Sequence, residues 1–244
     1  MRTKILKIGF EIEGEWNNNL QENTSFLSRL GTWTGDATIR RCYLQKCRTL
    51  TLAEYRLNPL PYTNINTIKN LFSPLQKCYK KSNFHFNKSC GFHLHISFSP
   101  IKPPELMSYH FISYFNTEMA RAFPKEYAAR KENKFCVPYQ RTRTEIYNYA
   151  HANRYHAVNY NSLQRHKTIE LRIFRTASPL KMFSFVLFSI ETIKNFLQRG
   201  TSLTHTLYIP DTFTPHSTTP APKSSLISED LTIDEQNQTA TYDY

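Results

Sequence analysis

Apolar and polar positions alternate with a period of two in three stretches of this chain, and an extended strand is the element that fits that period. Near the start, Ile8, Phe10 and Ile12 alternate with Gly9, Glu11 and Glu13, which predicts a strand over 4–16. In the middle, Phe92, Leu94, Ile96 and Phe98 alternate with His93, His95 and Ser97, which predicts a central strand over roughly 83–99. Near the end, Ile169, Leu171 and Ile173 alternate with Glu170, Arg172 and Phe174 in a strand over 167–175. Residues 38–47 and 49–58 read as two further β segments, the second placing Leu52, Glu54 and Arg56 on one parity. Asn58-Pro59-Leu60-Pro61 closes that segment, because proline removes a ladder donor. A short strand around Val158-Asn159-Tyr160 fits 155–162. Residues 17–35 are polar and irregular, with turns expected at Asn17-Asn18-Asn19 and Thr34-Gly35-Asp36.

Helical spacing appears three times. From Asn64 to Lys81, Ile65, Ile68, Leu71, Phe72, Leu75, Cys78 and Tyr79 form one apolar stripe, with Asn64 as N-cap. Pro74 predicts a kink or a break near Ser73. From Glu105 to Phe123, Met107, Phe111, Phe115, Met119 and Ala122 are expected to face inward. From Pro179 to Gly200, Leu180, Phe183, Val186, Leu187, Ile190, Ile193, Phe196 and Leu197 give a broad apolar face. Residues 124–156 have weak periodicity and read as a solvated helix-and-loop region. Strands mixed with three helices, without regular βαβ alternation, favour an α+β fold with an antiparallel sheet. Six glycines and no glycine-rich phosphate loop argue against Rossmann and P-loop folds.

Beyond Leu207 the chain turns rich in Thr, Ser and Pro, then in acids. Residues 1–209 are therefore expected to fold as one catalytic-sized domain and 210–244 to form a disordered tail. The 244-residue chain has a net charge of +12, but the tail holds six acids and one lysine, so the body carries 30 basic against 13 acidic residues. Such a body attracts polyanions: nucleotides, phosphates or nucleic acid. The aromatic and basic interleaving of 121–156 is the feature that most suggests nucleic acid. No apolar run reaches membrane-spanning length and the first residues lack a signal-peptide core, so no membrane partner is expected. Five cysteines without framework spacing suggest reduced thiols and a cytoplasmic location.

The strand parity also sorts the chemistry. Glu11, Glu13 and Glu15 share one face of the first strand, and like charges cluster at a cost unless cations neutralise them. His93 and His95 share one face of the central strand and can reach a common ion or phosphate. A zinc hydrolase built on His93 and His95 is the weaker metal reading, because the surplus of carboxylates suits a hard ion such as Mg²⁺.

Taken in order, these stretches resemble the amidoligase family, within the carboxylate–amine ligases of glutamine synthetase-like fold. The matching residues are Gly9-Phe10-Glu11-Ile12-Glu13, Glu54 before Asn58-Pro59-Leu60, Cys90-Gly91-Phe92-His93-Leu94-His95 and Lys134-Phe135-Cys136. They continue with Arg154-Tyr155-His156-Ala157-Val158-Asn159-Tyr160 and with the run from Thr168 through Glu170 and Arg172 to Arg175 and Thr176. Arg56 and Leu57 depart from the small or hydroxyl residues that family members tend to carry before the closing proline stretch. The resemblance implies a curved antiparallel sheet backed by helices, with ATP and Mg²⁺ (or Mn²⁺) on its concave face. It implies that ATP phosphorylates a carboxylate and that an amine displaces the phosphate to form an amide. By the same resemblance, Glu11, His93 and Glu170 hold one ion, and Glu13 and Glu54 a second. His95 and Arg172 face the ATP phosphates with Arg175 beside them, and Arg154 and Asn159 face the carboxylate substrate or the nucleotide. The substrates implied are a carboxylate and an amine, borne on a peptide, a protein, a cell-wall precursor or a small acid. A nucleic-acid-binding protein on the same scaffold is the alternative.

Overall fold

The computed structural model describes residues 3–17, 29–35, 50–63, 65–81, 85–87, 89–131, 133–134, 136–138 and 155–200. The segment 38–47, the turn at Asn18-Asn19, Arg154 and the tail 210–244 lie outside them.

The alternating stretches form one seven-stranded antiparallel sheet backed by helices, so the fold is α+β. Its strands are β1 (Lys4–Asn17), β2 (Gly31–Gly35), β3 (Leu50–Leu57), β4 (Leu60–Pro61), β5 (Gly91–Ser99), β6 (Val158–Asn159) and β7 (Ile169–Arg175). The order across the sheet is β2-β3-β1-β5-β7-β6, with β4 also pairing β1. Among the described residues, the helices that back it are α1 (Ile65–Lys81), α2 (Tyr109–Ala122), α3 (Pro124–Arg130), α4 (Asn161–His166) and α5 (Pro179–Gly200).

One face of the sheet is the core. Ile8, Phe10 and Ile12 of β1 and Phe92, Leu94 and Ile96 of β5 are buried there, with Ile68, Phe72 and Leu75 of α1 and Phe185, Val186 and Ile190 of α5 in the same cluster. Phe10 meets Phe72 at 5.3 Å between ring centroids, and Phe174 stacks on Phe185 at 4.7 Å. Each fully buried ring contributes roughly 1.5–3 kcal/mol over leaving it in water.

The structure corrects several local expectations. Residues 31–35, read as irregular with a turn at Thr34-Gly35, form the edge strand β2 paired along β3. Trp33 packs on Tyr55 at 4.7 Å, a cross-strand contact that no local pattern reveals. A Cβ on Gly31 would lie 2.2 Å from the Arg56 carbonyl oxygen, so only glycine lets the two backbones approach. Gly31→Ala should therefore strip β2 from the sheet and cost about 1–3 kcal/mol in chemical denaturation. An unchanged denaturation midpoint would show that β2 is not held this way.

α1 runs without a break through position 74, because Phe72 and Leu75 on either side of it are anchored in the core. The central strand begins at Gly91 rather than near 83, since Asn87 and Cys90 form a turn. α2 begins at Tyr109, capped by the Ser108 hydroxyl accepting from Phe111 N–H, with Met107 buried just ahead of it. Ala122 is exposed at its end, and Phe123 turns in against Phe185 instead, at 5.0 Å. Leu180 and Leu187 of α5 are more than a third exposed, while Met182 and Phe185 take the core positions.

The correction that matters most for function lies in β7. Between Phe92 and Leu94 the partner strand advances from Phe174 to Leu171, so β7 carries one extra residue. This bulge flips the parity. Phe174, expected beside Glu170 and Arg172, points into the core against Phe92 and Phe185. Arg175 becomes the register partner of Gly91.

Candidate functional site

The sheet face opposite the core carries the charged residues, and register brings them side by side. Across β3, β1 and β5, Arg56 stands opposite Glu11 and Glu11 opposite His93, while Glu54 stands opposite Glu13. Across β5, β7 and β6, His95 stands opposite Glu170 and Glu170 opposite Asn159. These residues line a cleft of about 430 Å³. Glu13, Glu54, His93, His95 and Glu170 are each under a tenth exposed. Glu15 shares the parity but does not line the cleft; its backbone pairs with His85.

Two sets of ligand atoms converge to within 4.8 Å: Glu11, His95 and Glu170, and Glu11, Glu54 and His93. Glu11 belongs to both. Its carboxylate lies 3.1 Å from His93 Nδ1 and 3.4 Å from His95 Nε2. Glu13, opposite Glu54 in the register, makes contacts of its own. Its Oε2 accepts the Gly91 N–H at 2.5 Å, and its Oε1 lies 3.5 Å from His93 Nε2. A Cβ on Gly91 would come within 2.5 Å of that same His93 nitrogen, so the glycine opening β5 makes room for the ring.

His95 sits with the carboxylates as well as beside Arg172. Its Nδ1 lies 3.1 Å from the Thr168 hydroxyl and 3.3 Å from the Ser162 hydroxyl, which are bonded to each other. With Nδ1 donating to these hydroxyls, the buried His95 Nε2 is left facing the Glu11 carboxylate. A buried imidazole nitrogen among carboxylate oxygens is the donor set of a hard divalent cation with one nitrogen ligand, so these residues fit Mg²⁺ or Mn²⁺.

Glu170 is held from both sides. Asn159 Nδ2 donates to its Oε2 at 2.6 Å and Arg172 Nη1 donates to its Oε1. Asn159 thus orients a carboxylate, a role its sequence position did not suggest. Arg172 also lies 6.0 Å from the centre of the Tyr155 ring. Arg175 is not among the residues lining the cleft.

Electrostatics reflects the crowding. Burial works against ionising Glu11, but hydrogen bonds and charge from His93 and His95 prevail and hold it well below the usual carboxylate range. Burial and then the neighbouring Glu11 push Glu54 up to about 8, against the pull of Arg56. Burial works against the charge on His95 too, and Glu11 and Glu170 raise it nonetheless. A divalent cation held by Glu11 and His95 offsets the Glu11 charge that helps keep the Glu54 proton in place, and displaces a proton from His95 Nε2. Binding of Mn²⁺ at pH 7 should then release protons. Calorimetry in buffers of different ionisation enthalpy reads this directly, and proton release near zero would contradict it.

Sequence reasoning missed Arg130, Ser162 and Thr168. Arg130 of α3 lines the cleft, is 2 % exposed, and donates from Nη2 to the Arg172 carbonyl at 3.3 Å. Its Nε and Nη1 have no partner among the described residues. It lay in a stretch of weak periodicity, where only the docking of α3 on β7 shows that it is buried. Thr168 was within reach, since it precedes Glu170 by two residues and so shares its face.

The sheet face gathers carboxylates, imidazoles and guanidiniums in one buried cleft, groups whose chemistry suits a hard cation and oxyanions. A family model described as "Putative amidoligase enzyme" matches residues 43–150. Over that stretch, less than half of the chain, the protein is similar to the amidoligase family. The match spans Glu54, His93 and His95 but not Glu11, Asn159, Glu170 or Arg172, which the register joins to them. No curated protein and no solved structure matches the chain. Among the described residues, no helix is long and apolar enough to cross a membrane.

Proposed function

We propose that the chain is an ATP-dependent carboxylate–amine ligase with a glutamine synthetase-like catalytic domain in residues 1–209, acting in the cytoplasm. The observation that carries this reading is the convergence of two carboxylate–imidazole ligand sets in one cleft with the Arg172 guanidinium. A hard ion bound there supplies charge neutralisation for phosphoryl transfer. Glu11, His95 and Glu170 would hold it, with Glu54 and Glu13 completing the acidic wall and His93 beside them. Asn159 fixes Glu170, while Thr168 and Ser162 fix the His95 ring. Arg172 binds phosphate oxygens of ATP and stabilises charge on the transferring group, since its planar fork matches two oxygens at once. By the family resemblance, Arg175 assists on the nucleotide side and Arg154 faces the carboxylate substrate or the nucleotide.

The reaction runs in two displacements. A substrate carboxylate oxygen attacks the terminal phosphorus of ATP, and ADP leaves. The amine nitrogen then attacks the carbonyl carbon of the acyl phosphate, inorganic phosphate leaves, and the nitrogen loses a proton to give the amide. The test is phosphate release from ATP with Mg²⁺, screened over paired carboxylates and amines, with mass spectrometry of the products. Phosphate release that needs both partners, together with a condensed product, is the expected result. ATP affinity equal in EDTA and in Mg²⁺ would overturn the reading, because nucleotide phosphates repel an unneutralised carboxylate cluster.

A further inference from the structure

Each ligand set of the cleft has a guanidinium against it, and the two are held differently. In the set formed by Glu11, His95 and Glu170, Arg172 Nη1 donates to Glu170 Oε1, and the buried His95 Nε2 lies 3.4 Å from Glu11 Oε1. In the set formed by Glu11, Glu54 and His93, the guanidinium reaches both carboxylates, one of them the shared Glu11. Arg56 approaches the Glu54 Oε2 with Nη2 at 2.6 Å and Nε at 2.8 Å, and its Nε lies 3.6 Å from Glu11 Oε1. The backbone holds it there. Arg56 follows Glu54 by two residues on the same face of β3 and stands opposite Glu11 on β1. His93, the third member, already lies 3.1 Å from Glu11 by its Nδ1.

We propose that the Arg56 guanidinium is the resident cation of the set formed by Glu11, Glu54 and His93 and takes the place of a second divalent ion there, so that the protein binds a single Mg²⁺ or Mn²⁺, at Glu11, His95 and Glu170. The proposal rests on the ligase reading above and narrows it. Two cations crowded against one shared carboxylate repel each other, and the tethered one is present at an effective concentration that dissolved ions do not match. The guanidinium also keeps the carboxylate charge balanced without a dehydration step, which Mg²⁺ undergoes reluctantly. Arg56 is half exposed, so replacing it leaves the buried core face of β3 untouched.

The experiment counts Mn²⁺ ions on the full-length protein by calorimetry and by low-temperature electron paramagnetic resonance, where two ions sharing a carboxylate give a spin-coupled signal. The expected result is one uncoupled ion on the native protein and on Arg56→Lys, and two coupled ions on Arg56→Ser. Two ions on the native protein would overturn the proposal while leaving the ligase reading in place. One ion or none on Arg56→Ser, with one on the native protein, would overturn it as well. No ion on the native protein would remove the metal-dependent ligase reading itself, and this proposal with it.

Discussion

Glu11→Gln should weaken Mn²⁺ binding by about 100-fold or more while the protein still folds. Glu11 is the one side chain common to both ligand sets, and its two oxygens face His93, His95 and Arg56. Loss of a group that merely orients a metal ligand typically costs about 10–100-fold in affinity. A ligand shared by every converging set should cost at least the upper end of that range. The substitution keeps the size of the side chain and leaves Phe10 and Ile12, the core anchors of β1, in place. It also removes the charge that helps hold Glu54 up, so the Glu54 titration should shift toward the ordinary carboxylate range. Titration calorimetry with Mn²⁺ and a thermal melt of the same sample decide the matter. Unchanged affinity in a folded variant would remove Glu11 from the ligand set.

Glu170→Gln and Arg172→Lys should each cut turnover by about 100-fold or more, and for different reasons. The two residues sit two apart on β7 and form an ion pair in which burial raises the stakes. In the first variant the amide keeps the Asn159 contact in shape but not the charge that holds a hard ion, so the Mg²⁺ requirement should rise. In the second the ammonium keeps a charge but lacks the planar fork, so the maximal rate should fall even at saturating Mg²⁺. Phosphate release measured across a Mg²⁺ series separates the two defects. Were the pair an ordinary surface salt bridge, each change would cost at most about 1 kcal/mol of stability and the rates would survive. Near-normal phosphate release by the double variant would sink the mechanism proposed here.

The site was legible because its residues lie on strands, and a strand sorts side chains by parity alone. Glu11 and Glu13, His93 and His95, and Glu170 and Arg172 were each paired on one face by a local period of two. Composition likewise marked the basic body, and the apolar stripes marked α1, α2 and α5 within a few residues. These signals are local, since each depends only on neighbours within a turn or a pleat. What stayed hidden depends on contacts between residues far apart in the chain. β2 exists because Gly31 lets it lie against Arg56 and Trp33 finds Tyr55, neither of which any window of residues 17–35 contains. The bulge that turns Phe174 into the core and brings Arg175 opposite Gly91 is set by stacking on Phe185 and by the register with β5. The grouping of ligands was decided the same way. Parity put the imidazoles and carboxylates on one face, but the register of β1, β3, β5 and β7 determined that His95 joins Glu11 and Glu170 and that Arg56 closes on Glu54. Register is a property of paired strands, fixed by the side chains that pack across them, and it arises only when the sheet assembles.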